Sequence, residues 1–230
     1  MIIAIDGPAG AGKSTTARAV AERFNLAYID TGAMYRAVAL AAAERQLRLP
    51  ADEAAIVKLA QSLPIELRDH GRRIFIGERD VSEAIRSAAI GQFTSEISAL
   101  AGVREAMVQQ QRRLAASSLH ECGGAVLEGR DIQTVVCPDA EVKIFLTADP
   151  RIRAERRLAQ WQAAGDAANL DTAHHDIGAR DERDSNREVA PLRAAPDAVL
   201  LDTDGLSPAE VMERIAAIVE SKRGGYESVA

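Results

Sequence analysis

The stretch "IIAIDGPAGAGKSTTARAVAERF", residues 2–24, decides the fold. The apolar run 2–5 reads as a buried strand, and "TTARAVAERF" has the period of a helix. Between them "GPAGAGKST", residues 7–15, matches G-x-x-x-x-G-K-[ST]. The spacing has a physical reason. Gly7, Gly10 and Gly12 allow the torsions that turn successive N–H groups toward one anion, and the following helix adds its positive N-terminal end. Lys13 neutralises charge on β- and γ-phosphates, and the Ser14 hydroxyl can take a Mg²⁺ position. Gly7, Pro8, Ala9, Gly10, Ala11, Gly12, Lys13, Ser14 and Thr15 are therefore the candidate nucleoside triphosphate site. The competing reading is a glycine-rich turn with no ligand. A strand before the loop and a helix after it count against that.

The alternation that starts here continues along the chain. "AYI" (27–29), "AVL" (125–127), "VKIFL" (142–146) and "AVLL" (198–201) read as further buried strands, each followed by a helical segment. Such alternation predicts an α/β fold of the P-loop NTPase kind, a parallel five-stranded sheet flanked by helices. Asp149 and Pro150 mark one helix start. Ser207 and Glu210 form a capping box at another, with Pro208 in the first turn and Gly224 as the expected stop. "IELRDHGRRIFIGERDVS" (65–82) interrupts the pattern as a β-hairpin turned at Asp69-His70-Gly71, within an inserted subdomain. The segment 163–176 is a polar tip between two arginine-bearing helices, and 224–230 a loose tail.

Composition excludes several function classes. With 47% hydrophobic and 27% charged residues the chain is an ordinary globular protein, expected to be cytoplasmic and monomeric. A net charge of −6 offers no general field for a nucleic acid, and 3% aromatics offer no base-stacking platform. Its first residues carry no basic region like that of a signal peptide, and no apolar run reaches the roughly 20 residues that span a bilayer. Cys122 and Cys137 have no metal or disulfide spacing, and the adjacent His174 and His175 diverge, so neither pair is expected to hold a metal. Trp161 is expected to pack rather than to stack on a base.

A phosphate loop does not say what the triphosphate is for. There is no N-K-x-D guanine-reading motif, which argues against a GTPase. Two stretches lie past strand ends, where an acceptor binds in such folds. In "DTGAMYRAV" (30–38), Asp30 or Thr31 can cap the next helix, with Tyr35 and Arg36 one turn in. In "EGRDIQTVV" (128–136), Gly129 permits a tight exit that displays Arg130 and Asp131 at the sheet's edge. A second anion would satisfy arginines at both places. The stretch "GARDERDSNRE" (178–188) stays ambiguous by itself. Arg180, Arg183 and Arg187 share a face if helical, either solvated or gripping an anion.

Together "DGPAGAGKST", "DTGAMYR", "VREAMVQQQR", "EGRDIQTVV", "PDAEVKIFL" and "RDERDSNREVAPL" resemble the cytidylate kinase family of nucleoside monophosphate kinases over nearly the whole chain. The resemblance implies transfer of the γ-phosphate of ATP to CMP or dCMP with Mg²⁺, small-molecule partners only, and a single domain over 1–230. Its core would comprise 1–62, 96–149 and 190–224. An inserted monophosphate-binding subdomain would occupy about 63–95, and an arginine-rich lid about 150–189. It also implies roles. Thr31, Tyr35, Arg36, Arg130 and Arg187 would surround the acceptor phosphate; Ser95, Arg104 and Asp131 would read cytosine; Asp184 would hold the sugar hydroxyls. Lys13, Arg130, Arg183 and Arg187 would stabilise the transferring group. "GARDERDSNRE" then reads as the second half of the lid, with Arg153, Arg156 and Arg157 striping the first half. Gln133 and Cys137 depart from the "GRDIGTVVFP" of many relatives, and Gln133 bears on the shape of the acceptor turn. Rival readings are a kinase of the same fold acting on UMP or AMP, and a P-loop switch protein that transfers nothing.

Overall fold

The structure, a computed structural model, describes residues 1–163, 165, 167–187 and 189–227. Glu188 of the charged stretch, Ala164 and Asp166 of the polar tip, and the last residues of the expected tail lie outside them. Five strands, β1 (Ile2–Asp6), β2 (Ala27–Asp30), β6 (Ala125–Gly129), β7 (Val142–Thr147) and β8 (Val199–Asp202), make one parallel sheet in the order β2-β6-β1-β7-β8. All five coincide with the apolar runs that predict them. The small sheet is antiparallel, β3 (Ile65–Arg68), β4 (Arg73–Ile76) and β5 (Arg79–Asp80). The chain divides into two compact units, one of Met1–Asn25 with the chain from Glu128 on, the other of Leu26–Leu127.

In the first unit β1 is buried along its whole length, as a strand paired on both sides and covered on both faces must be. It pairs with β7 from Ile3↔Val142 to Asp6↔Phe145, and β7 pairs with β8 from Ile144↔Val199 to Thr147↔Asp202. Helix α1 (Lys13–Phe24) leaves the phosphate loop and packs against α8 (Pro208–Glu227). The capping box forms as predicted, since the Ser207 N–H donates to Glu210 at 2.8 Å and the Glu210 N–H to Ser207 Oγ at 3.3 Å. The expected stop at Gly224 does not hold, because α8 runs on to Glu227. A glycine within a helix costs only roughly 1 kcal/mol relative to alanine. Helices α6 (Pro150–Ala163) and α7 (Leu170–Ser185) form an antiparallel hairpin around Ala154, Ala173 and Ile177, flanked by Leu158, Trp161 and Leu170. Trp161 therefore packs, as expected. Ala9 of the phosphate loop joins the same cluster.

The second unit is built on α2 (Thr31–Glu44), buried over most of its length, with α3 (Glu53–Ser62), α4 (Ala88–Ile97) and α5 (Ala101–Cys122) around it. The predicted hairpin turn is present, with Asp69, His70 and Gly71 all left-handed at φ 53°, 54° and 76°. A Cβ on Gly71 would lie 2.0 Å from the Tyr28 carbonyl oxygen, so glycine is required where the hairpin tip meets β2. Among the described residues, no helix is long and apolar enough to cross a membrane.

Candidate active site

The phosphate loop is closed by contacts within its own unit. A Cβ on Gly7 would meet the Leu146 carbonyl oxygen at 2.3 Å, and one on Gly10 would meet Arg153 at 2.9 Å, so both glycines are fixed by close backbone approach. Gly12, left-handed at φ 91°, caps the start of α1. Lys13 is buried and donates to the Pro8 carbonyl at 2.7 Å, which folds its ammonium back across the loop. Burial, with Arg130 and Arg180 nearby, lowers its pKa to about 7 although Glu128 and Asp6 pull the other way. The Ser14 hydroxyl donates to Glu128 Oε2 at 2.9 Å. Glu128 is a residue the sequence reading passed over. Its signal was position, an acid one residue before the end of the strand that neighbours β1 in the sheet.

Beyond β6 the chain makes a single π-helical turn, Ile132–Val136, closed by Val136 N–H to the Asp131 carbonyl at 3.2 Å and Cys137 N–H to the Ile132 carbonyl at 2.7 Å. Arg130 donates to Asp184 at 2.8 Å and to the Gly129 carbonyl at 3.1 Å. Asp184 also receives Arg187, so one buried carboxylate joins two guanidinium groups. Burial disfavours its charge, yet Arg130 and Arg187 hold its pKa below the ordinary value. Arg130 is likewise disfavoured by burial and raised on balance by Asp184. Asp131 is buried rather than displayed, because the π turn folds back directly after it. Gln133 is buried as the second residue of that π turn. Its side chain is itself bonded, as described further below.

The lid arginines divide. Arg183 and Arg180 lie on α7, whereas Arg187 lies beyond its end at Ser185, so the three do not share one helical face. Arg183 is exposed and donates to the Ala179 carbonyl of its own helix at 3.0 Å. Arg180 is held by desolvation and by Arg130 and Arg157 at a pKa lowered to about 10. It acts on Lys13 as well, which makes it, rather than Arg183, the α7 cation next to the loop. The stripe on α6 is occupied by the protein itself. Arg153 donates to the carbonyls of Ala148 at 3.0 Å and Ala9 at 3.1 Å and pairs with Asp181. Arg156 binds Thr203 through its hydroxyl at 2.9 Å and its carbonyl at 3.0 Å, and Arg157 pairs with Asp176 and lies over Trp161. Asp181 in turn accepts from the Ala9 N–H at 3.1 Å, so the hairpin braces the phosphate loop.

In the second unit Asp30 caps α2 through the Ala33 N–H at 2.8 Å and pairs with Arg36 at 3.2 Å. Between the two candidates for that cap, the structure chooses Asp30. Thr31 and Tyr35 are buried on the same helix. Arg104 on α5 is buried, donates to the Ser98 carbonyl at 3.3 Å, and stands 5.8 Å from the Tyr35 ring centroid. Ser95 is half-buried on α4. The unit thus brings Tyr35 and Arg104 together, and Arg36 with Asp30.

The strand-loop-helix and its cations define a nucleotide-binding protein of the phosphate-loop class. The cytidylate kinase family model matches residues 3–221, and the chain belongs to the cytidylate kinase family. It is 44% identical to the cytidylate kinase of Salinibacter ruber, over 97% of this chain and 99% of that one. Against the cytidylate kinase of Exiguobacterium sibiricum it is 47% identical, over 95% and 96%. It also matches the bifunctional pantoate ligase/cytidylate kinase of a Synechococcus strain at 47% identity, over 94% of its own length and 40% of that longer protein. Among solved structures, an uncharacterized protein from Eubacterium ventriosum shares the fold at a TM-score of 0.51 and 11% identity, with 96% and 98% covered.

Proposed function

We propose that this chain transfers the γ-phosphate of ATP to CMP or dCMP, giving ADP and CDP or dCDP. The observation that carries the reading is the phosphate loop itself, with Lys13 buried and folded onto the Pro8 carbonyl, Ser14 bonded to Glu128, and Arg180 beside them. Positive charge gathered against its own repulsion beside a phosphate loop is charge poised for a polyanion. Membership of the family supports the choice of acceptor.

In this reading Gly7–Thr15 cradle the triphosphate of ATP, and Lys13 offsets charge on the transferring group with Arg130, Arg187 and Arg180. The acceptor's own phosphate oxygen is the nucleophile, already anionic near neutral pH, so no strong base is needed and alignment does most of the catalysis. By the family resemblance, Thr31, Tyr35, Arg36, Arg130 and Arg187 serve the acceptor phosphate. Ser95, Arg104 and Asp131 serve cytosine, and Asp184, already bridged to two arginines, serves the sugar and fixes those arginines. Ser14 and Glu128 offer adjacent hard oxygens, a donor set that suits Mg²⁺. When bound with ATP, Mg²⁺ would neutralise phosphate charge there. Residues of about 63–95 form the acceptor subdomain, and the α6–α7 hairpin belongs to a lid that excludes water. Cytosine presents an amino donor beside two acceptors, which a carboxylate and an arginine match, whereas uracil reverses part of that pattern.

The test is ADP release from Mg-ATP with CMP, dCMP, UMP, AMP or no acceptor, with products identified. ADP in step with CDP or dCDP is expected; release indifferent to the acceptor would make an ATPase or switch the better reading. Asp131→Ala is expected to weaken CMP use more than UMP use, and an equal loss would remove Asp131 from base selection.

A further inference from the structure

Asp6 ends β1 and immediately precedes the phosphate loop, with no exposed surface. Its Oδ2 accepts the backbone N–H of Gln133 at 2.9 Å, while Oδ1 has no hydrogen-bond partner. A fully buried carboxylate with one oxygen unsatisfied is costly, and an apolar residue would suit a central strand better. What Asp6 does instead is hold the start of the π turn. In that turn the first N–H groups have no acceptor within the turn and need one from outside. Gln133 completes the tie. Itself buried, it donates from Nε2 to the Ile144 carbonyl on β7 at 3.3 Å and accepts the Ala195 N–H at Oε1, 2.9 Å away. The turn that follows Arg130 and Asp131 is thereby fastened to β1, to β7 and to the segment leading from the α6–α7 hairpin into β8, all within one unit.

We infer that Asp6 and Gln133 are positioning residues for the acceptor, setting where Arg130 and Asp131 stand relative to the phosphate loop. The inference rests on the kinase reading above and assigns to that reaction two residues that touch neither nucleotide. The chemistry fits the task. Burial pushes the Asp6 carboxyl up to about 6, and the Gln133 N–H that it accepts offsets part of that cost, so the turn and the carboxylate stabilise each other. A displacement of this turn by about 1 Å would be felt at Arg130, where alignment of the acceptor is worth up to about a hundredfold in rate.

The experiment uses Gln133→Met, Asp6→Ala and Asp6→Asn, with KM for CMP and for ATP measured separately and folding followed by thermal melts. Wild-type production of CDP from CMP is the control for the kinase reading, so its failure is distinguishable from failure of this inference. Gln133→Met fills the same space without either side-chain bond, and is expected to raise KM for CMP about tenfold while KM for ATP stays within about twofold. Asp6→Ala is expected to split the two constants in the same direction. Asp6→Asn, whose amide oxygen can still accept the Gln133 N–H, is expected to recover most of the loss. A folded Gln133→Met with an unchanged KM for CMP would overturn the inference. So would KM values for CMP and ATP that rise together in step with lost thermal stability. If Asp6→Ala does not fold, Gln133→Met decides.

Discussion

Helices α6 and α7 carry arginines at the same kind of spacing, yet the two sets do different work. On α6, Arg153 and Arg156 donate to backbone carbonyls at Ala9, Ala148 and Thr203. Those oxygens lie where strands and loops end, beyond the reach of the sheet's ladder, and a guanidinium with its several N–H groups is suited to satisfy them. On α7, Arg180 is set among cations and is held below its ordinary pKa. A stripe of arginines thus reveals a shared face but not its use. The use depends on whether carbonyls or other cations lie opposite.

Four variants would break or sharpen this contrast. Lys13→Ala, the common reference for both helices, is expected to cut kcat by about 10²–10³-fold. It should leave the fold intact at neutral pH, since the side chain is held there at a cost. Wild-type turnover in a folded variant would remove the phosphate-loop assignment. Arg153→Ala should mainly cost stability, roughly 3 kcal/mol in denaturant unfolding, because it leaves Asp181 and two carbonyls without their donor. If it unfolds like wild type, the bracing role of α6 is wrong. Arg180→Ala should do the reverse, losing about a hundredfold in kcat with its melting temperature held or raised, while Arg183→Ala loses less than about twofold. Equal losses at 180 and 183 would erase the distinction drawn on α7.

The smallest effect concerns Asp6. Its folded pKa, about 6, lies above the ordinary carboxyl value of 3.8, so the protonated form is the one the fold prefers. Its contribution to stability is present below about pH 3.8 and is lost as pH rises through about 6. Asp6→Asn should therefore melt higher than wild type above pH 6, by on the order of 1–2 kcal/mol, with the advantage fading toward pH 4. A constant difference across that range would mean that Asp6 is not the titrating group.

Much of the site was legible in the chain because local rules govern it. The phosphate loop needs only glycines, Lys13 and a helix start in fixed order, and the capping box of α8 needs only Ser207 and Glu210 three residues apart. Glu128 and Asp6 were not legible as site residues. Nothing in "AVLEG" or "AIDG" marks an acid as facing Ser14 or a distant turn until the strands stand side by side. Arg183 and Arg180 were interchangeable by spacing, and Arg187 was counted on a helix that ends at Ser185.

The sequence by itself determined the five strands of the parallel sheet, the phosphate loop, the helix starts at Pro150 and Pro208 and the family, since each rests on residues a few positions apart or on motifs with fixed spacing. Tertiary structure alone decided which arginines brace the phosphate loop and which stand among other cations, why Asp184 can sit buried, and what holds the Gln133 side chain. These depend on groups far apart in the chain, such as Arg153 and Asp181, 28 positions apart, and Gln133 and Asp6, 127 apart, which only folding brings within hydrogen-bond reach.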